Sequence, residues 1–259
     1  MIRTFNKGLR GLLLCAGLMT GAAAQAEGFS FTEVQLHYGD GYLLGRNGLN
    51  ETARTTITLE HFSAGKIGEL FFFVDFFRDE DGPTTNTRSD QYGEIYGFLS
   101  GRNLGLSFGD SGIVRDAGIE LGLNQGTDFT VLLLGPRVNF NVPGFSVLTF
   151  GVYAYDNIDD PFNRNLDTTY QATVVWVFPF QIGNQKFSTQ GFVDFIGSQG
   201  SGVDNQILFS PQLRWDIGNA FGGKEGRLTL GLEYNHWENK FGVNGVDEDS
   251  LSVFLAAKF

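Results

Sequence analysis

The sequence predicts an all-β fold, a transmembrane antiparallel up-and-down β-barrel of about 12 strands. Three observations lead there: polar and apolar residues alternate in segment after segment, the first residues have the form of an export signal, and the final segment alternates to its last residue. In Asp249–Phe259, the residues Leu251, Val253, Leu255, Ala257 and Phe259 share one face, while Ser250, Ser252 and Lys258 share the other. A period of two that runs to the terminus places the chain's end inside a sheet, paired rather than frayed.

At the other end, Arg3, Lys7 and Arg10 form a positive region ahead of a short apolar stretch, Leu12 to Ala16 with Leu18 and Met19. Ala24-Gln25-Ala26 follows as a small-x-small cleavage site. Gly17, Thr20 and Gly21 leave the apolar stretch well short of the ~20 residues of a spanning helix. The expected division is therefore a cleaved signal peptide over 1–26 and a barrel over 27–259. Cys15, the single cysteine, falls in the leader behind Leu14, which is too large for a lipoprotein site. The mature chain then has no thiol, disulfide or cysteine-based metal site. A formal charge of −11 becomes more negative once the leader's bases are gone, which argues against a nucleic-acid partner. No later stretch reaches the ~18 consecutive apolar residues of a spanning helix, so strands remain the means of crossing.

In chain order, candidate strands run near 29–38, 53–62, 67–77, 91–100, 112–123, 129–140, 145–155, 167–178, 187–196, 205–216, 227–237 and 249–259. Each is about as long as a tilted strand must be to cross the hydrocarbon layer. In the first, Val34, Leu36 and Tyr38 oppose Glu33, Gln35 and His37; in the third, Leu70, Phe72, Val74 and Phe76 oppose Glu69 and Asp75. The eighth sets Tyr170, Ala172, Val174, Trp176 and Phe178 against Thr169, Gln171 and Thr173. In the tenth, Ile207, Phe209, Leu213 and Trp215 oppose Gln206, Ser210, Gln212 and Arg214; in the eleventh, Leu228, Leu230, Leu232 and Tyr234 oppose Thr229, Glu233 and Asn235. Turn signals separate the strands at Gly39-Asp40-Gly41, Asp81-Gly82-Pro83, Asn124-Gln125-Gly126, Asn141-Val142-Pro143-Gly144, Gly183-Asn184 and Gly222-Gly223. No helical period and no domain linker is visible.

A soluble sandwich would alternate in the same way. The export signal, the terminal Phe259 and the aromatics Tyr38, Tyr170, Phe178, Trp215 and Tyr234 near strand ends favour a membrane barrel with interfacial girdles. An even strand number puts both termini on the periplasmic side and sends 39–52, 79–90, 156–166, 197–204 and 238–248 outward.

Parity then assigns the lumen. The inward acids are Glu33, Glu60, Asp75, Glu94, Glu120, Asp194, Asp216 and Glu233, against few bases, notably Arg137 and Arg214. Phe71, Phe73, Tyr92, Tyr96, Phe98 and Tyr155 are inward aromatics. Carboxylates and amides bond hydroxyls and base edges, and aromatic faces stack on flat rings, so the mixture suits a nucleoside-like solute and repels phosphate. The candidate substrate-binding set is Phe71, Phe73, Asp75, Glu94, Tyr96, Phe98, Arg214, Glu233 and Asn235. The competing reading is that inward charges pair with one another across the barrel. The acidic runs Asp79-Glu80-Asp81, Asp159-Asp160 and Asp247-Glu248-Asp249 read as solvated loop charge, with a weak divalent-cation role as the alternative. The histidines are His37, inward by parity, and His61 and His236, outward; no serine has a telling spacing to any of them, so an enzyme is not expected. No cofactor is implied.

Several segments resemble one family. Gln212-Leu213-Arg214-Trp215-Asp216, the stretch from Leu230-Gly231-Leu232-Glu233-Tyr234 to Phe241-Gly242-Val243, and the terminal strand are similar to nucleoside-specific channel-forming (Tsx-like) outer-membrane proteins. Val34-Gln35-Leu36-His37-Tyr38-Gly39, Thr56-Ile57-Thr58-Leu59-Glu60-His61 and Tyr92-Gly93-Glu94-Ile95-Tyr96 look similar to the same family. Barrels of the bacterial outer membrane typically end, as here, in an aromatic residue read by their assembly machinery. The resemblance implies a monomeric barrel in the outer membrane of a Gram-negative bacterium, passing nucleosides or deoxynucleosides passively through a narrow lumen with weak sites. It also implies contact with outer-membrane lipid and use as a receptor by phage or colicin. The alternatives are a nonspecific small-solute pore, or a receptor barrel that acts only through its loops.

Overall fold

The computed structural model describes residues 28–44, 50–80, 89–108, 112–160, 164–200 and 202–259. The leader over 1–26 with Cys15, and the turn at Asp81-Gly82-Pro83, lie outside the described residues.

The strands are β1 (Phe29–Leu44), β2 (Asn50–Ala64), β3 (Gly68–Asp79), β4 (Ser89–Ser100), β5 (Val114–Gly126) and β6 (Phe129–Phe140). They continue as β7 (Val147–Asp159), β8 (Thr169–Ile182), β9 (Gln185–Ile196), β10 (Gln206–Trp215), β11 (Leu228–Glu238) and β12 (Glu248–Lys258). Each pairs antiparallel with its chain neighbours, and β1 pairs with β12, so the sheet closes into one barrel. Closure gives every strand two partners and leaves no edge, which is what a sheet in hydrocarbon requires. Phe259 completes the seam, its backbone N–H donating to the Thr32 carbonyl at 2.8 Å.

The faces follow the predicted parity. Val34, Leu36 and Tyr38 are exposed on the outside while Glu33, Gln35 and His37 are buried within. In β12, Leu251, Val253 and Leu255 are exposed while Ser250, Ser252 and Phe254 are buried. The end where β1 starts and β12 finishes is called periplasmic, after the orientation expected from an even strand number. Outside, near the periplasmic ends of β8, β9 and β10, Phe178, Phe180, Phe187 and Trp215 form a chain of ring contacts, with Phe180 and Phe187 stacked at 5.5 Å. Tyr38, Tyr170 and Tyr234 lie outward near the extracellular ends. These are the two girdles expected where rings meet headgroups.

Two turn assignments and one inward assignment need correction. Gly39-Asp40-Gly41 lies inside β1, at a bulge between Gly39 and Tyr42 where Gly41 takes φ +88°. The extra residue shifts parity, so Tyr42 turns inward beside Thr52. Asn124-Gln125-Gly126 is the end of β5, and the chain reverses one step later, with Asp128 at φ 54°. Asp216, assigned inward from sequence, instead caps a one-turn helix, α1 (Ile217–Ala220), in the periplasmic turn: its carboxylate accepts from Asn219 N–H at 2.9 Å and Gly226 N–H at 2.7 Å. An aspartate just before a turn of helix satisfies orphan N–H groups better than it would as a strand's final inward residue.

Candidate functional site

The site is the lumen, and it is organised in levels. Near the periplasmic ends of the strands, the charges are paired. Arg137 on β6 bridges Glu69 of β3 and Glu120 of β5, and its Nε donates to Asn139 at 3.1 Å. Tyr153 donates to the other oxygen of Glu120 at 2.5 Å. On the far side, Arg214 of β10 donates to Glu33 of β1 at 2.5 Å and to Gln212 at 3.0 Å. Gln35 also donates to Glu33 at 2.9 Å, and Lys258 lies 3.6 Å from it. Here the competing reading holds: inward charges pair across the barrel.

The extracellular rim is paired as well. Arg54 is bidentate on Asp79, at 2.6 and 3.1 Å, with its guanidinium over Phe77. Lys240, in the turn between β11 and β12, is buried against Glu248 and donates to the Leu43 carbonyl at 3.2 Å, while Glu248 accepts from Leu43 N–H at 2.6 Å. Burial pushes the Lys240 ammonium below its ordinary pKa, against the opposing pull of Glu248. Asp79 and Glu248 are therefore buried ion-pair partners, which corrects their assignment as solvated loop charge. In water they would gain less from pairing than they gain in this enclosed rim.

Between these levels the carboxylates have no cationic partner among the described residues. Asp75 accepts from Thr58 at 2.6 Å, Glu94 from Tyr92 at 2.5 Å, and Asp194 from Thr173 at 2.6 Å. Asp75 is within electrostatic reach of Glu94 and Glu233 and also of Arg54, which Asp79 holds, and Asp194 is within reach of Glu94, although β3 and β4 lie across the barrel from β9 and β11. Hydroxyl donors hold these carboxylates in place without cancelling their charge.

Beside the acids runs a line of rings. Phe129, at the extracellular start of β6, lies 6.5 Å from Tyr92; Tyr92 lies 6.1 Å from Phe73, and Phe73 lies 6.2 Å from Phe71 near the periplasmic start of β3. Phe129 and Tyr92 flank Gly126, their common partner on β5, where a Cβ would meet both rings at ordinary contact distances of 3.6–3.8 Å. Farther round, Val131, Leu133, Tyr153, Tyr155 and Ile196 pack into an apolar cluster that fills the β6–β9 side of the lumen. Accessible lumen surface is thus concentrated on the acid-and-ring side and along β9 to β11.

All nine candidate residues project inward, but they do not form one surface. Phe71, Phe73, Asp75, Glu94, Tyr96, Glu233 and Asn235 keep accessible surface. Phe98 is 3% exposed beneath Arg137, whose guanidinium lies 3.9 Å from the ring centroid. Arg214 is 5% exposed and held by Glu33. Phe129 joins this surface without being among the nine, although its alternation with Val131 and Leu133 places it on the same inward face. The structure also brings Ser252 to His37 at 3.2 Å, with Gln35 on the other ring nitrogen at 2.8 Å, a contact that a separation of 215 residues hides from sequence. Ser252 is 1% exposed, and its partner chain ends in an amide rather than a carboxylate. Buried so, Ser252 offers no accessible hydroxyl, and a nucleophile needs one that a substrate can reach.

Residues 31–258 match a family described as "Domain of unknown function (DUF5020)". No curated protein matches the sequence. Among solved structures, a "KdgM porin" is similar at 8% identity and TM-score 0.50, covering 88% of this chain and 99% of that one. A "NanC porin" is similar at 11% identity and TM-score 0.50, covering 88% and 100%. At such identities the likeness shows the fold: a closed porin-type barrel that accounts for nearly the whole of both porins.

Proposed function

The chain belongs to the family described as "Domain of unknown function (DUF5020)", and from the lumen itself we propose that it is an outer-membrane channel for passive uptake of small polar solutes with a flat face, nucleosides above all. The observation that carries this reading is the juxtaposition of the Phe129–Tyr92–Phe73–Phe71 line with Asp75 and Glu94, neither of which forms an ion pair among the described residues. A base or sugar face stacks on the rings while ribose hydroxyls and base N–H groups donate to the carboxylates. Stacking on one ring contributes about 1–3 kcal/mol in single-strand nucleic-acid binding, weak enough to be left quickly. Phosphorylated solutes are repelled by the same carboxylates. The outward apolar faces, the two aromatic girdles and the leader support an outer-membrane location, and a barrel closed by one chain supports a monomer.

Swelling of liposomes carrying the purified barrel tests the reading with adenosine, thymidine, thymidine monophosphate and sucrose. Nucleosides are expected to enter fastest and the nucleotide slowest. Equal rates for nucleosides and sucrose would leave a nonspecific pore, and no swelling at all would leave a receptor barrel.

A further inference from the structure

Several inward rings in this lumen lie against the wall, and glycines make that possible. Tyr96 on β4 lies over Gly122 of β5; a Cβ at Gly122 would sit 2.5 Å from Tyr96 Cε1 and 2.7 Å from Cδ1. Phe254 on β12 lies over Gly231 of β11, where a Cβ would meet ring carbons at 2.2, 2.5 and 2.8 Å. Both contacts are with the ring of the paired residue on the next strand, since Tyr96 pairs with Gly122 and Phe254 with Gly231. Phe254 in turn carries other lumen groups: His37 stacks on it at 4.6 Å, and the Arg214 guanidinium lies 5.1 Å from its centroid. Gly118 has a similar relation to Phe98, but there a Cβ would also strike the Leu99 carbonyl oxygen at 2.0 Å, so its absence is first a requirement of the sheet. At Gly231 the nearest atoms are all ring carbons, and at Gly122 the two nearest are.

We propose that Gly122 and Gly231 set the bore of the channel: by letting Tyr96 and Phe254 lie flat, they keep a passage that one methyl group on either glycine narrows. The proposal rests on the channel reading above and adds to it which residues fix the size limit. A ring cannot stay flat on a Cβ at these distances, and the closed sheet behind it cannot retreat without breaking ladder bonds. The ring must therefore swing toward the axis. At Gly231 the swing carries Arg214 and His37 with it. Interior packing alone would only require that the ring be buried somewhere, whereas this arrangement keeps it out of the lumen's centre.

The test is single-channel conductance in planar bilayers, with heat-modifiable migration on gels confirming that each variant has assembled. Gly231→Ala and Gly122→Ala are each expected to lower conductance about twofold or more, since pore width governs passage. Gly231→Ala/Phe254→Leu and Gly122→Ala/Tyr96→Leu are expected to recover it, because the smaller side chain no longer has to swing inward. Wild-type conductance in both single variants, or no recovery in either double variant, would overturn the proposal. So would a loss of assembled protein with unchanged conductance in what does assemble, which would make the glycines folding devices only. If one single variant does not assemble, the other pair decides. Absence of conductance in the wild-type barrel would remove the channel reading and this proposal with it, an outcome distinct from all the others.

Discussion

Leu230 and Glu233 lie three positions apart on β11 and face opposite solvents. Leu230→Arg places a charge on the lipid side and is expected to destabilise the barrel by about 2–4 kcal/mol if the position lies near the bilayer midplane. Glu233→Gln keeps its shape inside a wet lumen and is expected to leave folding nearly intact; equilibrium unfolding in urea from lipid vesicles compares the two, and a larger loss for the glutamine variant would reverse the assigned faces. Arg214→Met belongs with the damaging class for a different reason. It leaves Glu33 buried with Lys258, partly exposed and 3.6 Å away, as its remaining cation, so the loss is expected to fall below the about 3–5 kcal/mol that breaking a buried pair costs when no partner remains. Which residues face inward was legible because strand parity is strict: one wrong step would have exposed Glu33, Gln35 and His37 to lipid. Which residues touch was not legible. Arg214 and Glu33 are 181 positions apart, and several carboxylates were equally available to that arginine in sequence.

Strand number and order were equally legible, because each crossing leaves its own alternating segment. Strand ends were less so. Gly39-Asp40-Gly41 has the local chemistry of a turn, yet β12 pairs with it as far as Asp40 and β2 carries β1 on to Leu44 through a bulge. Local propensity lost there to pairing on both sides. At the seam, Phe259 is tied by its backbone to Thr32, while its ring is 70% exposed on the outer face. The ring therefore adds little packing within the barrel. Phe259→Ala is expected to lower the yield of assembled protein in cells while leaving the urea midpoint of the assembled fraction unchanged. An equal fall in both would make the ring a stability element, and no fall in yield would make the terminal aromatic incidental.

Taken over its full height, the lumen is electrically uneven. Positive charge is cancelled where it stands: Arg54 by Asp79, Lys240 by Glu248, Arg137 by Glu69 and Glu120, and Arg214 by Glu33. Between those belts, Asp75 and Glu94 are held by hydroxyls and Asp194 by the Thr173 hydroxyl with the Gln171 amide, and they project from three strands on both sides of the barrel. A solute crossing the middle meets one sign of charge in a narrow, low-dielectric enclosure, where fields are focused rather than screened. If the barrel conducts as proposed, it is expected to prefer cations, read as a reversal potential in a potassium chloride gradient at about pH 8, where ordinary carboxylates are ionised. Asp75→Asn, Glu94→Gln and Asp194→Asn combined should move that potential toward zero. Assembly should survive the three changes, since an amide still accepts from Thr58, Tyr92 and Thr173 and no cation is orphaned. The same triple variant should admit thymidine monophosphate faster than the wild type does, while thymidine, which relies more on the rings, changes less. An unchanged reversal potential would show that the paired belts, rather than the acidic middle, decide what the lumen passes.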